Sequence, residues 1–364
     1  MTYGWNKFYY EENKMRKVSI ENLVGGEKLA RDVTTINGIL LIPEGTILKK
    51  VYLEKLHELH INTVYIEHED IPNEVEMIIE DKIQKDCKLM VKETIEKYSY
   101  CANSELHEIV EIADQIMRDI VSNADVMYNI SYVREKSEAV FSHSVNVSAL
   151  SVLIGLKMKL SLKRVHDIAV GALLHDLGIV YLPFSLQEVN YDECQEEEKR
   201  IIRKHVITGY SLLEHEKWLS SVSKDIILSH HERSDGSGYP MRLKNNKLRV
   251  ETRIVALCDE FDNRVYGNLC RADKIQVVMD YILSEAGRKY DFKVVQAFIE
   301  SVAVYPIGTY VKTNTNEIGL VIRQNYKMPT RPVIRILSEA GEDESIKDLT
   351  KELTLFIVDT VDIS

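Results

Sequence analysis

Apolar and polar positions follow two different periods along the chain. From about Asn129 to Val302 the apolar residues recur every three or four positions, the spacing of one helical face. This stretch predicts an all-α bundle over 129–303. After Tyr305-Pro306-Ile307-Gly308 the runs TYVKT, GLVIRQ, PVIRIL and LFIVD are short, β-type and separated by polar turns such as Asn314-Thr315-Asn316. They predict a β-rich tail over 304–364. Upstream, a polar leader over 1–17 precedes GILLIPEGTIL (Gly38–Leu48), two apolar runs split by Pro43-Glu44-Gly45. Helical spacing through Leu53, Leu56 and Leu59 or His60 follows, and then a strand-like TVYI (Thr63–Ile66). These predict a small mixed α/β module over 18–70. Ile71–Asn123 interleaves Glu with Lys at helical spacing, which predicts a solvated helical connector over 71–128. A homodimer is the expectation drawn from that connector. Tyr191–Arg200 is acidic and reads as a loop entering a helix. The fold class is therefore mainly α.

Length and charge narrow this picture. A chain of 364 residues with 45 % hydrophobic positions suits two or three domains and buries a real core. Its net charge of −11 argues against holding duplex nucleic acid or an anionic membrane surface. A phosphate-bearing ligand would need positive charge from elsewhere, and bound metal is one source. The five cysteines, Cys87, Cys101, Cys194, Cys258 and Cys270, are scattered without a CxxC pair. That suits a reducing compartment and disfavours a thiolate zinc site. No secretory h-region opens the chain, and the longest apolar stretch, Val145–Leu156, is too short to span a bilayer. The expectation is a cytoplasmic protein.

Within the helical stretch lies a spaced set of metal-ligand residues: His143, His175-Asp176, His205, His230-His231 and Asp259. Each aligns with the apolar stripe of its predicted helix. His143 shares a face with Val147 and Leu150, His175 and Asp176 follow Ile168 and Ala172, His205 pairs with Ile202 and Gly209, and Asp259 follows Val255. One histidine on such a stripe is ordinarily a satisfied core residue. Five histidines and two aspartates buried singly would cost several kcal/mol, and a shared metal centre removes that cost. Imidazole and carboxylate without thiolate suit Fe, Mn or Zn.

These residues resemble the HD-GYP domain family. His175-Asp176-Leu177-Gly178 is an HD signature. His230-His231-Glu232-Arg233-Ser234-Asp235-Gly236-Ser237-Gly238-Tyr239-Pro240 is similar to the family's HHExxDGxGYP segment. FSHSVNV (Phe141–Val147) and the helix ending at Asp259 resemble its flanking motifs. The resemblance implies a cyclic-di-GMP phosphodiesterase with two divalent metal ions, Fe or Mn first and Zn as an alternative. His143, His175, Asp176 and Asp259 would hold one ion. Asp176 would bridge to a second held by His205, His230 and His231, and would orient the hydroxide that attacks phosphorus, giving pGpG or GMP. Gly238, Tyr239 and Pro240, with Arg233 and Asp235 as a local pair, would shape the substrate mouth or a surface for a signalling partner.

Three departures from the family pattern bear on function. Ile179 stands where the family usually has a lysine. Ala139 stands where three-metal members have Glu, with Glu138 one residue out of register, so two metals are expected. The basic segment after Asp259 is degraded, leaving Arg271 as its remaining phosphate contact. Two further readings stay open beside the enzyme. One is a cyclic-di-GMP receptor or partner-binding protein with weak turnover, which Ile179 motivates. The other is an HD phosphohydrolase acting on another cyclic dinucleotide.

Overall fold

The computed structural model describes residues 15–20, 23, 26–34, 40–58, 61, 63–67, 81–100, 106–122, 128–129, 139–187, 189–267, 272–325, 328–337 and 345–361. The chain divides into two compact units, one of residues 77–302 and one of residues 1–76 with 303–364. The expected leader over 1–17 lies largely outside the described residues.

In the second of these units, β1 (Met15–Ser19), β2 (Val33–Thr34), β3 (Leu40–Ile42), α1 (Lys50–Glu58) and β4 (Thr63–Glu67) form the N-terminal part. β1 pairs antiparallel with β4, Val18 opposite Val64. Leu29, Leu48, Leu53, Leu56, Val64 and Ile66 make its core. The second apolar run of GILLIPEGTIL forms the Lys28–Ile47 bridge rather than a full strand, and its Leu48 joins this core.

The helical unit contains α2 (Asp81–Tyr100), α3 (Glu108–Ser122), β5 (Tyr128–Asn129), α4 (Ala139–Lys157), α5 (Leu162–Leu174), α6 (Glu196–Ile202), α7 (His205–Leu213), α8 (Ser221–Ser229), α9 (Val250–Tyr266), α10 (Ile275–Ser284) and α11 (Phe292–Ile299). The segment expected to be a solvated connector behaves differently: α2 packs against α4, and α3 packs against both α4 and α5. Cys87, Val91 and Ile95 on α2, and Ile109, Ile112, Ile116 and Ile120 on α3, form buried stripes at helical spacing. The interleaved charges occupy the opposite faces and mask those stripes in the composition.

At the centre lies α4, which packs against α5 and α9, while α5 packs against α8. From Val145 to Ile154 the residues of α4 are buried on every side, small polar Asn146, Ser148 and Ser151 included. A helix that is enclosed all round can hold a polar residue such as His143 only where partners meet it.

After α11 come β6 (Val302–Ala303), β7 (Tyr310–Thr313), β8 (Ile318–Arg323), β9 (Val333–Ile336), β10 (Ile346–Asp348) and β11 (Ile357–Thr360). The last five form an antiparallel sheet in the order β10-β9-β8-β7-β11. Val311, Leu320, Val321, Val333 and Ile334 are buried within it. The tail is thus β-rich, as its period-2 runs predict.

One close backbone approach fixes the geometry of the helical unit. A Cβ on Gly178 would lie 2.0 Å from the carbonyl oxygen of His205 and 2.9 Å from the nitrogen of Gly209. Only glycine lets the turn after Asp176 touch the first turn of α7, and this contact brings Asp176 beside His205. Beside it, Ile179 packs into a cluster with Leu182, Leu186 and Ile202. The side chain at that position points into apolar surroundings. Gly178→Ala is expected to lower unfolding stability by about 1–3 kcal/mol through overpacking. Urea unfolding of the metal-free protein checks this, and an unchanged midpoint would contradict the close approach.

Candidate metal centre

The seven sequence-predicted ligands converge at one place, and most of them do so from helix ends rather than from stripes. His175 caps the C-terminus of α5, and Asp176 starts the 3₁₀ turn Leu177–Tyr181. His205 opens α7, His230 caps α8 and His231 follows it. Only His143 on α4 and Asp259 on α9 come from helix interiors. Helix ends suit adjacent ligand pairs, because the backbone leaves helical geometry there. His175 has φ −57°, ψ −37°, whereas Asp176 has φ −98°, ψ 10°.

The Asp176 carboxylate lies at the centre. Its Oδ2 is 3.6 Å from His143 Nε2 and 3.3 Å from His175 Nε2. Its Oδ1 is 3.3 Å from His205 Nε2 and 3.7 Å from His230 Nε2. Two groups of donor atoms result, each lying within 4.8 Å of one another: His143, His175 and Asp176, and Asp176, His205, His230 and His231. Asp259 Oδ1 joins the first group, 3.2 Å from His143 Nε2 and 3.7 Å from His175 Nε2. Its Oδ2 faces His231 Nδ1 at 3.4 Å and has no hydrogen-bond partner among the described residues.

The hydrogen bonds on the far sides of the rings decide what the near sides can do. His175 Nδ1 donates to the Ala172 carbonyl at 2.6 Å, and His205 Nδ1 to the Ile202 carbonyl at 2.8 Å. His230 Nδ1 faces the carbonyls of Ile226 and Ile227 at 3.2 Å. A carbonyl only accepts, so each of these rings carries its proton on Nδ1 and turns the Nε2 lone pair inward. His143 and His175 Nε2 are 3.1 Å apart, and His205 and His230 Nε2 are 3.3 Å apart. Lone pairs facing at that distance repel unless positive charge lies between them. The donor set therefore fits a metal ion, by its chemistry and by its unsatisfied atoms.

The ionisation balance agrees. Burial pulls His175 down, but Asp176 and Asp259 beside it raise it well above the usual imidazole value. Burial likewise pulls His143 down, and the hydrogen bonds with Asp259 and Asp262 outweigh it and raise that group above the usual value. His230 is lowered to about 4 by burial, and His231 is pushed well down by burial and by His230. Burial would raise Asp176, yet His175, His205 and His230 hold it well below the usual carboxylate range. Without metal, protons supply the positive charge on the His143–His175 side. The His230–His231 side stays neutral.

Two supporting carboxylates had no assigned role in the sequence reading. Asp262 Oδ2 lies 2.6 Å from His143 Nδ1 and fixes that ring through a buried carboxylate–histidine contact. Its position one turn after Asp259 on the same apolar stripe was the available signal. Glu232 is 1 % exposed and accepts from the Met241 and Leu243 amides at 2.6 and 2.8 Å, pinning the Gly238-Tyr239-Pro240 loop. A Cβ on Gly238 would lie 2.4 Å from the His231 carbonyl oxygen, so the loop folds tightly over the ligand pair. Tyr239 stacks on His231, ring centres 4.8 Å apart at 26°, and Pro240 follows it through a cis peptide.

Arg233 and Asp235 do not form the expected local pair. Arg233 Nη2 binds Glu260 at 2.7 Å, its guanidinium lies over the Tyr290 ring, and Nη1 reaches the His230 and Glu232 carbonyls. Asp235 instead accepts from the Ser237 amide and hydroxyl and faces Arg288 at 3.7 Å. Glu260 outcompetes Asp235 because it meets Arg233 in a buried setting. Arg271 and Glu138 lie outside the described residues, as do His60 and His68. Trp218 is half-buried and meets His107 edge to face at 5.8 Å.

A cation entering the His143–His175 side has to displace protons, since those groups are raised. Protons held at higher pH than usual compete with metal, so apparent affinity is expected to fall as pH falls from 8 to 6. The fall should be about tenfold per pH unit for each proton displaced. Mn titrations followed by calorimetry at several pH values check this. Affinity independent of pH over that range would contradict it.

Residues 127–294 match the family described as HD domain, and residues 310–364 match the KOW domain associated with HD domain. The chain is 25 % identical over 234 residues to a cyclic di-GMP phosphodiesterase of Pseudomonas aeruginosa, covering 63 % of this chain and 55 % of that protein. It is 28 % identical over 185 residues to 3'3'-cGAMP-specific phosphodiesterase 2 of Vibrio cholerae, covering 49 % of this chain and 35 % of that protein. The chain thus spans about half or less of the length of these curated relatives. A solved HDG"Y"P protein from Bdellovibrio bacteriovorus shares the fold with a TM-score of 0.50 at 21 % identity, over 78 % of this chain and 98 % of that one. Residues 127–294 thus match the HD domain family, and within them the HD pair His175-Asp176 and the complete Gly238-Tyr239-Pro240 segment resemble its HD-GYP members.

Proposed function

We propose that this chain hydrolyses cyclic di-GMP at a two-metal centre, opening the ring to linear pGpG. The carrying observation is the Asp176 carboxylate, whose two oxygens face two separate sets of inward-turned imidazoles. In this reading His143, His175, Asp176 and Asp259 hold one divalent ion, and Asp176, His205, His230 and His231 hold the other. Iron or manganese suits the all-nitrogen-and-oxygen set, and zinc is compatible with it. When bound, such a pair of cations polarises the phosphodiester and lowers the pKa of a water for in-line attack on phosphorus.

The protein's own residues do the remainder. Asp262 and the Ala172, Ile202, Ile226 and Ile227 carbonyls orient the imidazoles, so the donor atoms are aimed before anything binds. Asp176 and Asp259 stay ionised in a buried setting and provide the negative charge that a dication pair requires. Glu232 and Gly238 hold the loop that packs over the His231 side of the centre. Both the relative from Pseudomonas and the resemblance of the HHExxDGxGYP segment support cyclic di-GMP as substrate.

Two observations favour other readings. The relative from Vibrio is named for 3'3'-cGAMP, which favours a different cyclic dinucleotide. Ile179 is buried among Leu182, Leu186 and Ile202 and offers no cation there, which favours a receptor with slow turnover.

Anaerobic loading with Fe or Mn, followed by incubation with cyclic di-GMP or 3'3'-cGAMP and separation of the nucleotides, discriminates these. The expected result is linear pGpG from the wild type and no detectable product from Asp176→Asn. Tight binding without product would establish the receptor. Product from Asp176→Asn at the wild-type rate would contradict the role of that carboxylate.

A further inference from the structure

The metal centre accounts for one phosphodiester of a cyclic dinucleotide, and such a ligand carries two. The Ile179 side chain offers no positive charge to the second, since it is enclosed in an apolar cluster. Arg233 is not available either, because Glu260 and two carbonyls occupy its guanidinium. In a chain of net charge −11, the second phosphate needs a specific cation at the mouth of the site.

Arg203 meets that need. It caps the C-terminus of α6, two residues before His205, so one short turn carries both the ligand histidine and this arginine. Its Nε–H donates to the Tyr191 hydroxyl at 2.6 Å. Its guanidinium carbon lies 5.6 Å from the centre of the Tyr239 ring and 5.7 Å from that of Tyr191. Tyr239 in turn stacks on His231. A continuous ladder therefore runs from the metal ligands outward: imidazole, phenol ring, guanidinium, phenol hydroxyl. Arg203 is exposed, and its terminal nitrogens have no hydrogen-bond or carboxylate partner among the described residues. Its neighbours differ in this respect, since Lys199 pairs with Glu196 and Arg200 with Glu197.

We propose that Arg203, oriented by the Tyr191 hydroxyl and seated over Tyr239, binds the phosphate of the cyclic dinucleotide that the metal centre does not engage. The inference rests on the cyclic-dinucleotide reading of the site above. A guanidinium held by its Nε keeps both terminal N–H edges directed outward, a fork that matches two phosphate oxygens. Its aromatic neighbours restrict the rotamers, so less entropy is lost on binding than for a free surface arginine. The phosphate it holds is not the one cleaved, so it contributes ground-state binding and leaves the chemical step alone.

Two substrates separate this role from damage to the metal centre. Bis(p-nitrophenyl) phosphate has one phosphodiester, and cyclic di-GMP has two. With Mn-loaded protein, Arg203→Ala is expected to raise KM for cyclic di-GMP about tenfold or more, with kcat within about twofold. Turnover of bis(p-nitrophenyl) phosphate and metal content should stay at wild-type values. Arg203→Lys should recover part of the loss, and Tyr191→Phe should show a smaller KM rise in the same direction. An unchanged KM for cyclic di-GMP in Arg203→Ala would overturn the inference while leaving the site reading intact. Equal losses on both substrates would also overturn it, by showing that Arg203 acts through the metal centre. Wild-type turnover of bis(p-nitrophenyl) phosphate with neither binding nor cleavage of any cyclic dinucleotide would overturn the underlying reading, and the Arg203 assignment with it.

Discussion

The architecture of the helical unit depends on one electrostatic constraint: four imidazoles turn lone pairs inward around a single carboxylate. His143 faces His175, His205 faces His230, and Asp176 lies between the two pairs. Such an arrangement repels itself without positive charge. It persists because carbonyls and Asp262 fix the outer nitrogen of the rings and the buried helices prevent them from turning away. Only protons or metal cations can relieve the repulsion at the centre, which ties the occupancy of the site to the stability of the fold.

That constraint explains features that otherwise look unrelated. Gly178 brings the turn after Asp176 into backbone contact with α7, without which His205 would stand away from the carboxylate. Glu232 ties down the loop that carries Tyr239, and Tyr239 covers His231. Arg233 and Glu260 brace the same loop from behind. Helix ends supply five of the seven ligand side chains, since a helix end is where consecutive residues such as His175 and Asp176 can diverge far enough to face different partners.

Much of this was legible in the sequence, for a physical reason. Polar residues aligned with apolar positions, as at His143 and Asp259, are costly enough that their pattern signals a shared partner. The helical bundle and the β-rich tail followed from the change of period near Tyr305. Other features were hidden. The stripes of α2 and α3 are diluted by Glu and Lys on the outer faces, so their packing against α4 and α5 reads as a solvated connector. The choice of Glu260 over Asp235 by Arg233 depends on a tertiary contact 27 residues away, which no local spacing encodes. Arg203 carried no signal because its role comes from Tyr191 and Tyr239, distant in sequence and adjacent only in the fold.

The net charge of −11 also takes a more definite meaning. It disfavours a long polyanion but is compatible with a small one gripped by local cations. If Asp176 joins two cation sites, removing its charge removes at least one of them. Counting metal per chain by elemental mass spectrometry after anaerobic Mn loading, in wild type and in Asp176→Asn, tests this most directly. About two ions per chain are expected in the wild type and at most one in the variant. One ion in the wild type, or an undiminished count in the variant, would contradict it.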